Sequence, residues 1–70
     1  MFTVKVIGLD GTEWVKQTET VVYENLEIPQ VMCFGVSGSV PTNTIKEGDV
    51  YVMNENGKTV ADYHLHPIKI

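Results

Sequence analysis

The sequence predicts an all-β domain: a small barrel or rolled antiparallel sheet of six to seven short strands in meander order, with no significant helix. Three observations lead there. Asp10-Gly11 and Asn56-Gly57 each stand between runs of β-branched and aromatic residues, the pattern of a β-hairpin. No window places apolar residues at helical spacing with capping residues at its ends. Asn25, Pro29 and Pro67 interrupt the remaining apolar runs at strand length.

Phe2–Leu9 opens the chain as a loosely alternating strand, with Phe2, Val4 and Val6 on one face and Thr3, Lys5 and Ile7 on the other. Thr12–Gln17 returns beside it. A two-residue loop would set Lys5 against Lys16, an unfavourable pair. A three-residue loop, Leu9–Gly11 with Gly11 in the left-handed region, avoids this and pairs Val6 with Trp14. Thr18–Glu24 continues as strand on the strength of Val21, Val22 and Tyr23. Pro29 keeps Leu26–Ile28 extended at an edge or outside the ladder. Val31–Val36 is a continuous apolar run and reads as the most buried strand, with Gly35 marking a bulge or a close approach.

Ser37–Gly48, SGSVPTNTIKEG, is long for a connection in so small a domain, and loops of that length tend to be functional or mobile. Val40 and Ile45 are the residues available to pin it, through a short strand or turn. Asp49–Leu65 then forms the strongest hairpin. A two-residue Asn56-Gly57 turn opposes Glu55 to Lys58, Met53 to Val60, Val52 to Ala61, Tyr51 to Asp62, Val50 to Tyr63 and Asp49 to His64. A three-residue loop, Glu55–Gly57, would instead shift the register by one and set Val52 against Val60. The charge pair favours the two-residue turn. One face then carries Val50, Val52, Ala61, Tyr63 and Leu65 and is expected in the core. The other carries Tyr51, Met53, Val60, Asp62, His64 and His66, too apolar for a solvated surface and too ionisable for an interior. Ile68-Lys69-Ile70 is a candidate closing strand.

Seventy residues suit one domain, and a chain of this size buries only roughly 60% of its unfolded surface, which leaves a thin stability margin. Oligomerisation is a common remedy. There is no apolar run of membrane-spanning length and no signal-peptide pattern, so a cytoplasmic location and no membrane partner are expected. Nine acidic residues face five lysines and no arginine, a formal charge of −4. Nucleic-acid binding normally shows a basic stripe and uses arginine for bidentate contacts, so no nucleic-acid partner is expected. Cys33, the single cysteine, reads as a small buried hydrophobe rather than a nucleophile.

Chemistry-bearing clusters are few. His64 and His66, two apart on a strand, project to the same side with Asp62 next in the row. Two imidazoles and a carboxylate suit zinc or non-haem iron, but such sites draw ligands from more than one element. The ordinary reading is a half-exposed face near the C-terminus, and a pH-sensitive contact such as Asp49 with His64 ranks ahead of a metal site. Ser37 and Ser39 lie in a glycine-rich loop that no helix follows, so it is neither a nucleophile elbow nor a phosphate loop. Trp14, Tyr23, Phe34, Tyr51 and Tyr63 are expected mostly in the core, with Tyr51 and Met53 the first choice for exposure. Glu19, Glu24 and Glu27 are too widely spaced for a calcium loop.

The phrase IKEGDVYVMNENGKTV, Ile45–Val60, resembles the hairpin of swapped-hairpin bacterial transition-state regulators, which bind DNA as dimers. It covers under a quarter of the chain, and the basic residues those proteins use on DNA have no match here. The expectation is therefore a non-enzymatic protein–protein binding or adaptor module, homodimeric or bound to another protein. Its interface would be Tyr51, Met53, Val60 and His64, with no catalytic residues, no bound metal and no cofactor. A chain this short suits an accessory protein of the kind phages and mobile elements carry. The alternatives are an acidic inhibitor mimicking nucleic acid through Glu19, Glu24 and Glu27, or a metal-dependent enzyme or sensor using Asp62, His64 and His66.

Overall fold

The computed structural model of the chain describes residues 1–36 and 38–67. Seven strands occur in the order β1 (Phe2–Ile7), β2 (Glu13–Thr18), β3 (Thr20–Glu24), β4 (Gln30–Phe34), β5 (Asn43–Ile45), β6 (Gly48–Met53) and β7 (Thr59–Leu65). They form two antiparallel sheets, β2-β1-β6-β7 and β3-β4-β5. Among the described residues no helix is long and apolar enough to cross a membrane. The candidate strand at Ile68–Ile70 lies outside the described residues, as does Ser37.

Alternation builds the interior. Val4 and Val6 of β1 lie opposite Val52 and Val50 of β6, and all four are buried. From the smaller sheet Val31, Cys33 and Ile45 meet them, and Leu65 of β7 completes one cluster of eight buried apolar side chains. The apolar run from Val31 is buried only at alternate positions and ends at Phe34, since Val36 is 72% exposed. Ile45 does pin the long connection, through β5, whereas Val40 is exposed. The five aromatics expected mostly in the core do not fill it: Trp14 and Tyr63 pack half-buried against it, as does Phe2, and Tyr23, Phe34 and Tyr51 all keep exposed surface.

The first hairpin has the expected three-residue loop. Gly8 N–H donates to the Thr12 carbonyl at 2.7 Å, Gly11 has φ 87°, and Val6 lies opposite Trp14. Lys5 pairs with Glu13 at 3.3 Å rather than facing Lys16.

The second hairpin combines the two registers weighed for it. Its turn is the three-residue form, because Asn54 N–H donates to the Lys58 carbonyl at 2.9 Å and Gly57 has φ 79°. Yet from Val52–Ala61 to Asp49–His64 the pairing is that of the two-residue turn. The difference is absorbed by a bulge: Met53 opposes Thr59, Val52 opposes Ala61, and Val60 between them has no partner. The expected Glu55–Lys58 and Met53–Val60 pairs therefore do not form. Glu55 instead accepts a hydrogen bond from the Met1 ammonium at 3.0 Å.

The strands do not close into a barrel. No ladder joins the edges of the two sheets among the described residues, and the layers make an open sandwich. Side chains fill the two gaps. On one side the Lys16 ammonium donates to the Asn43 side-chain oxygen, and on the other the rings of Tyr23 and Tyr63 stack at 4.6 Å. Side chains of that length hold the edges beyond the ~4.8 Å that a ladder requires. The meander order also fails, since β2 and β3, and likewise β5 and β6, lie in different sheets. β1 takes β6 as its second neighbour, because both strands bury alternate valines on the same side while β3–β5 are drawn into the opposite layer.

Two residues make the sheet switches. At Glu19 the chain leaves one sheet for the other, and the Phe34 carbonyl accepts bonds from the buried Thr18 hydroxyl at 2.8 Å and from Glu19 N–H at 3.0 Å. At Gly48 it returns, with φ 108° and so little room that a Cβ would lie 2.6 Å from the Ile7 carbonyl oxygen.

Candidate functional site

The outward face of the four-stranded sheet gathers the residues singled out by the sequence. Because Val50 and Val52 point inward, Tyr51 and Met53 point outward. Tyr51 lies between Lys5 of β1 and Asp62 of β7, and Met53 between Thr3 and Thr59. By the same alternation Ile7 and Val15 share this face, and Val15 is 61% exposed. Tyr51 and Met53 are partly covered by neighbours, and Val60, in the bulge, is half-exposed. Lys5, Glu13, Asp49, Asp62 and His64 surround the apolar residues with charge of both signs.

At one end of this face a polar cluster forms. Asp49 stands directly opposite His64, and its Oδ1 lies 2.8 Å from His64 Nδ1 and 3.1 Å from His66 Nε2. The far nitrogen of His64, Nε2, lies 3.3 Å from Asp62 Oδ2. The Tyr51 ring meets the His64 ring edge-on, with centroids 6.0 Å apart at 82°. Donation from His64, then from His66, holds the Asp49 carboxyl below the ordinary carboxylate range. Asp49, then Asp62, raises the His64 imidazole above its usual value.

The expected Asp49–His64 contact is present. The expected grouping of Asp62, His64 and His66 is altered: Asp49 sits between the two imidazoles, and Asp62 holds the other side of His64. The signal was present in the two-residue register, which sets Asp49 against His64 and which the bulge at Val60 restores. What the sequence did not show was that His66, just past β7, reaches the same Asp49 oxygen.

Cys33 is fully buried, and burial pushes its thiol up, away from the reactive thiolate. Glu19 and Glu24 stand at opposite ends of β3, roughly 17 Å apart at strand rise, with exposed Val22 between them. Comparison with known proteins finds no matching family model, no matching curated protein and no matching solved structure.

Proposed function

We propose that the chain is a non-enzymatic binding module whose outer sheet face packs against a second copy of itself. One observation carries this reading: the outer face of the larger sheet keeps a group of apolar side chains. Among the described residues the fully buried side chains are led by Val4, Val31, Val50 and Cys33, while Ile7, Val15, Tyr51 and Met53 gather on one outward face. A core of eight small and medium side chains leaves a chain of this length with little stability in reserve. Covering the outer face adds the apolar burial that the interior lacks. Aromatic residues and methionine are also those enriched where proteins meet.

The expected pair is a weak one. Four strands at about 4.8 Å spacing and six residues at about 3.3 Å rise give a face of roughly 19 by 20 Å. That is at the small end for a specific interface. Lys5 on one copy and Asp49 or Asp62 on the other provide opposite charge at its margin, which sets orientation more than affinity.

Sedimentation velocity of the wild type beside Tyr51→Glu tests the proposal. The wild type is expected to move toward a species of twice the mass as concentration rises. Tyr51→Glu, with native circular dichroism, is expected to stay monomeric. A wild type that remains monomeric at every concentration overturns the reading.

A further inference from the structure

We propose that Asp49, His64 and His66 form a binding site for a divalent transition-metal ion, zinc being the best fit, with Asp62 supporting it from behind. The site lies at the margin of the face proposed above for self-association, and metal binding does not require that contact. It rests on convergence, on outer support and on space.

Asp49 comes from β6, His64 from β7 and His66 from just beyond β7. One ligand atom from each lies within 4.8 Å of the others. Zinc held by imidazole nitrogen at about 2.0–2.1 Å and carboxylate oxygen at about 2.0–2.2 Å separates its tetrahedral ligands by roughly 3.3–3.5 Å. Asp49 Oδ1 is already 2.8 Å and 3.1 Å from the two imidazole nitrogens. To admit the ion the Asp49 contacts open by about half an ångström, and the two imidazole nitrogens, within 4.8 Å of one another, draw together, movements within the reach of half-exposed side chains. The donor set, two imidazoles and one carboxylate, is one that zinc accepts.

Asp62 supplies a second, separate indication. A metal-bound histidine usually donates its other ring N–H to a carboxylate, which fixes the tautomer and strengthens the ligating nitrogen. His64 is arranged in this way, with Nδ1 toward Asp49 and His66, and Nε2 3.3 Å from Asp62 Oδ2. Binding would leave the His64 proton on Nε2, facing Asp62, and free the Nδ1 lone pair for the ion. The edge of Tyr51 limits ring rotation.

Three protein ligands leave a fourth position for water or a ligand atom. His64 and His66 also line a cleft of about 170 Å³ with Tyr23, Lys46 and Leu65, enough for several water molecules. The Lys46 ammonium on that cleft opposes a cation, but Asp49 and Asp62 outnumber it.

The test is titration of the chelator-treated full chain with zinc chloride, read by calorimetry and by nitrogen NMR of the imidazole rings. One zinc per chain is expected. Zinc should move the resonances of His64 Nδ1 and His66 Nε2, while His64 Nε2 keeps its proton. His66→Ala, beyond the last strand and exposed, should fold normally and weaken binding at least tenfold. Asp62→Asn is expected to weaken it about 10–100-fold. The proposal is overturned if the wild type shows neither heat nor ring shifts at millimolar zinc, or if His66→Ala binds as tightly as the wild type. An Asp62→Asn variant of unchanged affinity removes the supporting role given to Asp62.

Discussion

Gly48 is the position where a single atom matters most. Its φ of 108° is strained for any L side chain, and an added Cβ would press to 2.6 Å on the Ile7 carbonyl oxygen. Backbone cannot yield there without opening the β1–β6 ladder. Gly48→Ala is therefore expected to cost about 3 kcal/mol or more. Gly57→Ala, in a turn with open space around it, should cost only about 1–2 kcal/mol. Thermal unfolding of the two variants side by side measures the difference. Asp10 gives a pH dependence of definite sign. Its Oδ1 accepts the Thr12 N–H at 3.0 Å, which lowers its pKa from 3.8. A carboxyl lowered on folding contributes stability that is fully present above 3.8 and is lost as pH falls through the lowered value. Asp10→Asn keeps the acceptor but does not titrate. In urea titrations at falling pH, the variant should lose less stability than the wild type below about pH 4.

At the scale of elements, the β6–β7 hairpin shows two requirements satisfied at once. Its turn is set locally: the Asn54 side-chain oxygen accepts the N–H groups of Asn56 and Lys58, at 2.9 and 3.0 Å. Asn54→Ala removes both bonds and is expected to cost about 1 kcal/mol. For a domain of this size that lowers the melting temperature by about 4–8 °C. The three-residue turn alone would have set Val52 against Val60 and brought Asp62 and His64 into the core. A one-residue slip flips every side chain of a strand. The unpaired Val60 prevents this and returns Ala61, Tyr63 and Leu65 inward. The β2–β3 corner depends in a similar way on Thr18, whose buried hydroxyl bonds the Phe34 carbonyl. Thr18→Val preserves shape but leaves that carbonyl with one donor fewer. A loss of about 1–2 kcal/mol is expected in urea unfolding.

The whole molecule is a thin sandwich, about 38 by 25 by 18 Å. Its interior is a single layer of aliphatic contacts between two sheets, and its stacked tyrosines lie at the side. If the outer face of the larger sheet is covered by a second copy, folding and association are linked, and stability depends on protein concentration. The wild-type melting temperature is then expected to rise with concentration in differential scanning calorimetry, while that of Tyr51→Glu stays constant. A wild-type value independent of concentration would count against the dimer at this scale, as sedimentation does at the level of mass.

Much of this was legible in the chain. Asp10-Gly11 with the Lys5–Lys16 conflict was enough to place the first loop and its Val6–Trp14 pair. Alternation around Val50 and Val52 separated the inward from the outward residues of β6, and the register placed Asp49 against His64. These are local matters, decided by turn geometry and by side chains two residues apart. Sheet membership was not local. Nothing in Thr18–Thr20 announces that adjacent strands belong to different layers, nor does Gly48 alone announce the approach of Ile7 from forty residues away. The bulge at Val60, the open sandwich in place of a barrel, and the meeting of His66 with Asp49 all follow from which surfaces the two layers bury together. By itself the sequence determined the all-β class, the turns and the alternation of faces, because each is dictated by neighbouring residues. Only the tertiary structure decided strand order, register at the bulge and the grouping of the histidines, because each depends on contacts between distant segments competing for one small core.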